Sequence, residues 1–168
     1  MAAATADRGP EARPAPGIRP GASLDRILAI HDDDEAFLAT LRAPRAVRAE
    51  PVANEYVEGQ VDTLRTRVYD GLSITAYEVT GGPTFIQSVT VSGEGYGTQG
   101  GLSPGETRED IEAVLGRPIN EVGQSGEGGA VLYETDSGPA PTTVEVRYEP
   151  DGDGTDRASE ITWRPYLD

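Results

Sequence analysis

The sequence predicts an α+β domain: two tandem helix–three-strand meander repeats forming one antiparallel sheet, with helices on one face. Three observations carry this expectation. First, residues 105–118 spell a short helix with both ends marked. Thr107 suits the N-cap, and Asp110 three residues on can reach back to it, as in a capping box. Ile111, Val114 and Leu115 make one apolar stripe at i, i+3, i+4. Gly116 suits the left-handed position after a helix, and Pro118 forbids continuation. Second, a weaker copy lies 74 residues earlier, where Phe37, Leu41 and Pro44 stand in the places of Ile111, Leu115 and Pro118. Third, each copy leads into three segments with the two-residue alternation of strands.

Residues 1–22 are mostly Ala, Pro, Gly and Arg, with Ile18 alone among the aliphatic core formers. Such a segment cannot pack and reads as a disordered tail or linker. Residues 23–100 read as the first repeat and residues 101–168 as the second. Ser23 can cap a helix bearing Leu24, Ile27 and Leu28. A second helix, over 33–42, follows Asp32-Asp33-Asp34-Glu35, whose charges favour a helix N-terminus. Residues 43–60 read as a long polar connection. Residues 62–69 then alternate Leu64, Thr66 and Val68, and Asp70-Gly71 signals a hairpin turn. Residues 72–80 carry Leu72, Ile74 and Ala76. Gly81-Gly82-Pro83 turns the chain into 84–92, where Phe85, Gln87, Val89 and Val91 are expected on one face.

A Gly-rich linker, 93–101, leads to the well-marked helix. The second meander begins at 129–135, with Val131 and Tyr133, and turns at Ser137-Gly138-Pro139. Residues 142–149 place Val144, Val146 and Tyr148 on one face. An acidic loop at 150–157 precedes the last strand, 158–166. At an offset of 72, Ile161 aligns with Val89 and Trp163 with Val91, so Trp163 reads as core.

Composition narrows the function. The net charge is −15, and all fourteen basic residues are Arg. An acidic surface repels phosphate backbones and anionic bilayers, so nucleic-acid and membrane-surface binding are not expected. Acid excess without Lys fits either adaptation to high salt or an Arg-biased genome. Leu, Ile, Val and Phe total 33 of 168 residues, which implies a folded but thinly stocked core. There is no Cys, so thiol catalysis and disulfides are excluded. No apolar run approaches the ~20 residues of a membrane-spanning helix, and there is no signal-peptide core.

The layout and the run Gly105-x-Thr107-x-x-Asp110-Ile111-x-x-x-Leu115-Gly116-x-Pro118 resemble the superfamily of small bacterial envelope domains that includes the outer-membrane assembly lipoprotein SmpA/OmlA. In its tandem form the chain resembles the beta-lactamase inhibitor protein family. The resemblance covers about residues 23–168. The first unit departs from it, with Ala43 in place of the helix-ending Gly and a longer connection to the meander. The resemblance implies binding of other proteins through sheet or loop surfaces, and it transfers no catalytic residue. It also implies a periplasmic or envelope-associated location, with the signal segment absent from this chain.

Several local patterns invite chemistry. Gly95-Tyr96-Gly97-Thr98-Gln99-Gly100 matches Gly-x-Gly-x-x-Gly, but the helix starts several residues too late for its N-terminus to meet a pyrophosphate. Asp151-Gly152-Asp153-Gly154-Thr155-Asp156 starts like a calcium loop, then breaks the pattern at its sixth and twelfth positions, Asp156 and Thr162. His31 is the only His, too few for a usual zinc site and without a nucleophile elbow to serve. The reading is therefore no cofactor, no metal and no enzyme. Aromatics on an open sheet face are the alternative, and Tyr77, Tyr96 and Tyr148 are the candidate protein-binding residues, drawn from a set that includes Tyr56, Trp163 and Tyr166. The expected protein is a monomeric, non-catalytic protein-binding module of the bacterial envelope; the alternative is a proteinaceous inhibitor that caps an enzyme's active site.

Overall fold

The computed structural model describes residues 24–29, 33–93, 95–98, 100–122, 129–135 and 142–165. The tail, Ser23, His31, Asp32, the Ser137-Gly138-Pro139 turn and Tyr166 lie outside the described residues. In chain order the elements are α1 (Asp25–Leu28), α2 (Asp34–Ala39), β1 (Ala46–Ala53), β2 (Val61–Val68), β3 (Leu72–Glu78), β4 (Thr84–Val91), α3 (Arg108–Leu115), β5 (Asn120–Val122), β6 (Ala130–Thr135), β7 (Thr142–Pro150) and β8 (Asp156–Pro165). The strands form one sheet in the order β1-β2-β3-β4-β8-β7-β6-β5, every neighbouring pair antiparallel.

The sheet is held by two apolar rows that run across five strands. One is Leu72–Val91–Ile161–Val146–Val131, the other Ile74–Val89–Trp163–Val144–Tyr133, and each step is a direct cross-strand pair. Every member is buried. Removing such side chains from water stabilises by ~1.5–3 kcal/mol each, which is how a chain poor in apolar residues still assembles a core. Between the two rows, on the opposite face, runs one that is polar in four of its five places: Ser73–Thr90–Thr162–Glu145–Leu132. Its centre is Thr90 facing Thr162, 72 residues apart, with their hydroxyls 2.9 Å from each other. The strands that close the two halves of the chain, β4 and β8, therefore meet at the middle of the sheet.

The expected α+β layering is corrected. The described residues form a sheet with short helical plugs, and helices do not pave one face. The helices are four, six and eight residues long and deliver Ile27, Leu38 and Ile111 to the core. The physical reason lies in the helix stripe itself. In α3 only Ile111 is buried; Val114 is 46% exposed and Leu115 packs only partly. The capping box is present, with Thr107 Oγ1 accepting from Asp110 N at 3.2 Å and Asp110 Oδ2 accepting from Thr107 N at 3.3 Å. At the other end Gly116 has φ 81° and ψ −156°, a positive φ but not the expected left-handed helical pair. Asp33 caps α2 by accepting from Ala36 N at 2.9 Å.

Two further expectations change. The connection at 43–60 contains β1, so the first meander has four strands. Residue faces also differ. Ile74 pairs with Arg67 and Ala76 with Arg65, which puts Leu64, Thr66 and Val68 on the face away from the core. In β4 the register slips, because Thr75 pairs with Ser88 and Ala76 with Ile86. Gln87 is the extra residue of this bulge, so Ile86 joins Val89 and Val91 inside while Phe85 turns out, 39% exposed.

One close approach fixes how the β2–β3 turn sits. Gly71, at φ +67°, accepts at its carbonyl from Ser92 N and Gly93 N. A Cβ built on Gly93 would lie 2.7 Å from Gly71 Cα, so the two backbones touch where only glycine fits.

Candidate functional site

The corner where β1 turns into β2 concentrates the unusual features. Its loop, residues 54–60, is folded by one side chain. Asn54 Oδ1 accepts from Tyr56 N and Val57 N, both at 2.8 Å, while Asn54 N donates to Gln60 O at 2.9 Å. This is an Asx-type turn, in which a short amide side chain imitates backbone. Gly59 closes it at φ +79°.

Beneath the loop lies Asp62, with 0% of its surface exposed. A buried carboxylate is tolerated only when its oxygens are fully hydrogen-bonded. Here Oδ1 accepts from Gln60 Nε2 at 2.8 Å and Thr80 N at 2.9 Å, and Oδ2 accepts from Asn54 Nδ2 at 2.6 Å and the Tyr77 hydroxyl at 2.5 Å. Four donors from the loop, from β3 and from the β3–β4 turn thus converge on one carboxylate. The Thr80 amide and then the Tyr77 hydroxyl hold the Asp62 carboxyl well below the usual carboxylate range, against the opposing effect of burial. The same bond, given by Tyr77 to Asp62, then burial and the nearby charges of Asp62, Glu55 and Tyr56, together push the Tyr77 hydroxyl up to about 12.

What the bolted loop presents is apolar. Tyr56 is 95% exposed, Val57 48% and Val61 55%. On the sheet face away from the core, Leu64, Tyr77 and Phe85 form a direct cross-strand row next to Asp62. Glu55 and Glu58 flank Tyr56 and give the corner a negative rim.

The three tyrosines chosen from sequence do not come together. Tyr77 is half-buried and belongs to this corner. Tyr96 is 2% exposed, packed beside the Gly71–Gly93 contact, and burial raises its hydroxyl above its ordinary value. Tyr148 is 4% exposed; its hydroxyl lies 2.9 Å from that of Tyr133, and burial, then this hydrogen bond, raises it strongly. The Arg108 guanidinium sits 6.0 Å from the Tyr148 ring centre. Tyr96 and Tyr148 are therefore core side chains, because both close the apolar side of the sheet. Trp163, 3% exposed, is core as well. Sequence reading missed Asn54 and Asp62, and it held Tyr56 in the aromatic set without choosing it. The signal was Asn54 followed by Gly59 just ahead of the alternating segment 62–69, a hairpin loop masked by Pro51 and the Ala-rich β1.

The acidic loop before β8 keeps its aspartates exposed but engages two of them in its own hydrogen bonds. Asp151 accepts from Gly152 N at 2.6 Å and from Arg157 Nε at 2.9 Å, and Asp153 accepts from Thr155 N at 2.9 Å. Arg157 also donates to Gly105 O at 3.1 Å, tying this loop to the start of α3. Among the described residues no three His, Cys, Asp or Glu side chains gather as a metal site. No described helix is long and apolar enough to cross a membrane.

No family model, curated protein or solved structure matches this chain.

Proposed function

We propose that this protein is a non-catalytic protein-binding module and that the β1–β2 corner is its contact surface. The observation that carries this is Tyr56, a nearly fully exposed aromatic on a loop already held in shape by Asn54 and Asp62. Exposed aromatics supply most of the energy at binding hot spots, and a loop fixed beforehand loses little freedom on binding. Glu55 and Glu58 select a partner whose apolar pocket has a basic rim, since complementary charge speeds encounter and rejects acidic surfaces. A protruding, braced loop also suits entry into an enzyme's cleft, so an inhibitor is the second reading. Placement in the bacterial envelope follows the family resemblance, and cell fractionation with an antibody tests it.

The deciding experiment captures a partner from envelope extract, purifies it, and titrates it with wild type and Tyr56→Ala. The expected loss is about 30-fold or more in Kd, the level of a hot-spot residue. Equal affinity would remove the corner from the binding surface. A captured enzyme whose turnover falls on binding selects the inhibitor reading.

A further inference from the structure

The outer edge of β1 is the longer of the sheet's two open edges, eight residues against three for β5. All its side chains are exposed except the half-buried Val52. The bond from Asn54 N to Gln60 O sets the phase of the ladder. With the observed register, Ala46, Arg48, Glu50 and Val52 direct their backbone groups to β2. Val47, Ala49, Pro51 and Ala53 direct theirs outward, where no strand of the described residues pairs with them. Among the described residues neither Arg48 nor Glu50 has an ion-pair partner.

We propose that a second copy of this chain pairs β1 against β1, antiparallel, about a twofold axis at Ala49. Three features of the edge select that occupant and that register. The outward groups at Ala49 face their own copies and exchange two hydrogen bonds, and each Val47 amide donates to the Pro51 carbonyl opposite. Pro51, which has no N–H to give, stands where only its carbonyl is needed. On the face away from the core, Arg48 lies directly opposite Glu50 of the other copy, twice over, as close non-hydrogen-bonded pairs. Moving the register by two residues either way sets Arg48 against Arg48 or Glu50 against Glu50, which is unfavourable. The edge is thus self-complementary in one register and self-repelling in the neighbouring ones. The sequence reading expected a monomer, and this proposal departs from it.

The test is sedimentation equilibrium of the full chain at about 0.3 M NaCl, where the net charge of −15 is largely screened. Wild type is expected to show a concentration-dependent dimer. Arg48→Glu and Glu50→Arg, each at an exposed position, should each raise the dimer Kd by about tenfold or more, with circular dichroism unchanged. An equimolar mixture of the two variants should dimerise as wild type does, because only the mixed pair sets unlike charges opposite each other. Wild type that stays monomeric to millimolar concentration would overturn the proposal. So would single variants that dimerise like wild type, or a mixture no tighter than its components.

Discussion

The contact between Gly71 and Gly93 gives the sharpest test of the packing. Replacing Gly93 by Ala puts a methyl carbon 2.7 Å from Gly71 Cα, well inside the separation two carbons tolerate. Neither neighbour is a flexible side chain end, so the turn must move away from the segment leaving β4. Overpacking of this kind costs ~1–3 kcal/mol. Gly71→Ala meets Gly93 Cα at 2.5 Å and must also adopt φ +67°, which adds a further ~1–2 kcal/mol for a residue with a Cβ. Gly152→Ala is the control, since a Cβ there has nothing within 4 Å; surface changes of that sort stay within ~0.5 kcal/mol. Trp163, the single Trp and 3% exposed, reports unfolding in urea by its fluorescence. The expected order of stability is wild type equal to Gly152→Ala, then Gly93→Ala, then Gly71→Ala. In a domain this size each kcal/mol lowers Tm by ~2–4 °C. A Gly93→Ala protein that melts with wild type would refute the close approach and with it the placement of Tyr96.

Two other outcomes follow from the same structure. Ile111→Ala should cost ~2–5 kcal/mol while Val114→Ala, three residues along the same helix, costs no more than ~0.5 kcal/mol, and denaturant titration of both checks this; equal costs would mean that α3 docks on another face. The Asp62 corner predicts a two-sided pH dependence. Asp62 has a folded pKa below its unfolded value, so its contribution is present above the ordinary carboxylate range and is lost as pH falls through that range and below. Tyr77 has a folded pKa raised to about 12, so its contribution is present below pH ~10 and is lost as pH rises toward 12. Urea midpoints across pH should therefore lose part of their acid slope in Asp62→Asn and part of their alkaline slope in Tyr77→Phe; slopes unchanged from wild type would show that the carboxylate is not held as described.

Much of the backbone plan was written in the sequence, and the reasons for the misses are local. Asp70-Gly71 and the box around Thr107 were legible because turn and cap chemistry act over three or four residues. β1 was not, because Pro51 and three alanines hide an edge strand that buries almost nothing and so shows no alternation. The inside–outside pattern of β4 was misread at Phe85 because a bulge shifts the phase by one residue, and nothing in Gln87 announces it. The aromatic choice failed at Tyr96 and Tyr148 for a related reason. An aromatic in a strand carries no mark of which side it faces until the partner strands are known. Asp62 was invisible as a special residue among twenty-nine acids; only its four donors, gathered from separate elements, set it apart.

The seam between β4 and β8 has a bearing on how the protein is born. Its three facing pairs, from Val89–Trp163 to Val91–Ile161, join residues about seventy positions apart. During synthesis β4 is complete long before β8 leaves the ribosome. Through that interval the growing chain carries a bare strand edge, with Val89 and Val91 lacking the neighbours that later cover them. Bare edges and uncovered valines are what nascent chains stick by. The polar pairing of Thr90 with Thr162 leaves a hydroxyl, rather than another aliphatic group, at the centre of that waiting edge. When the ten-residue β8 emerges, it completes the core and removes the hazard in the same step.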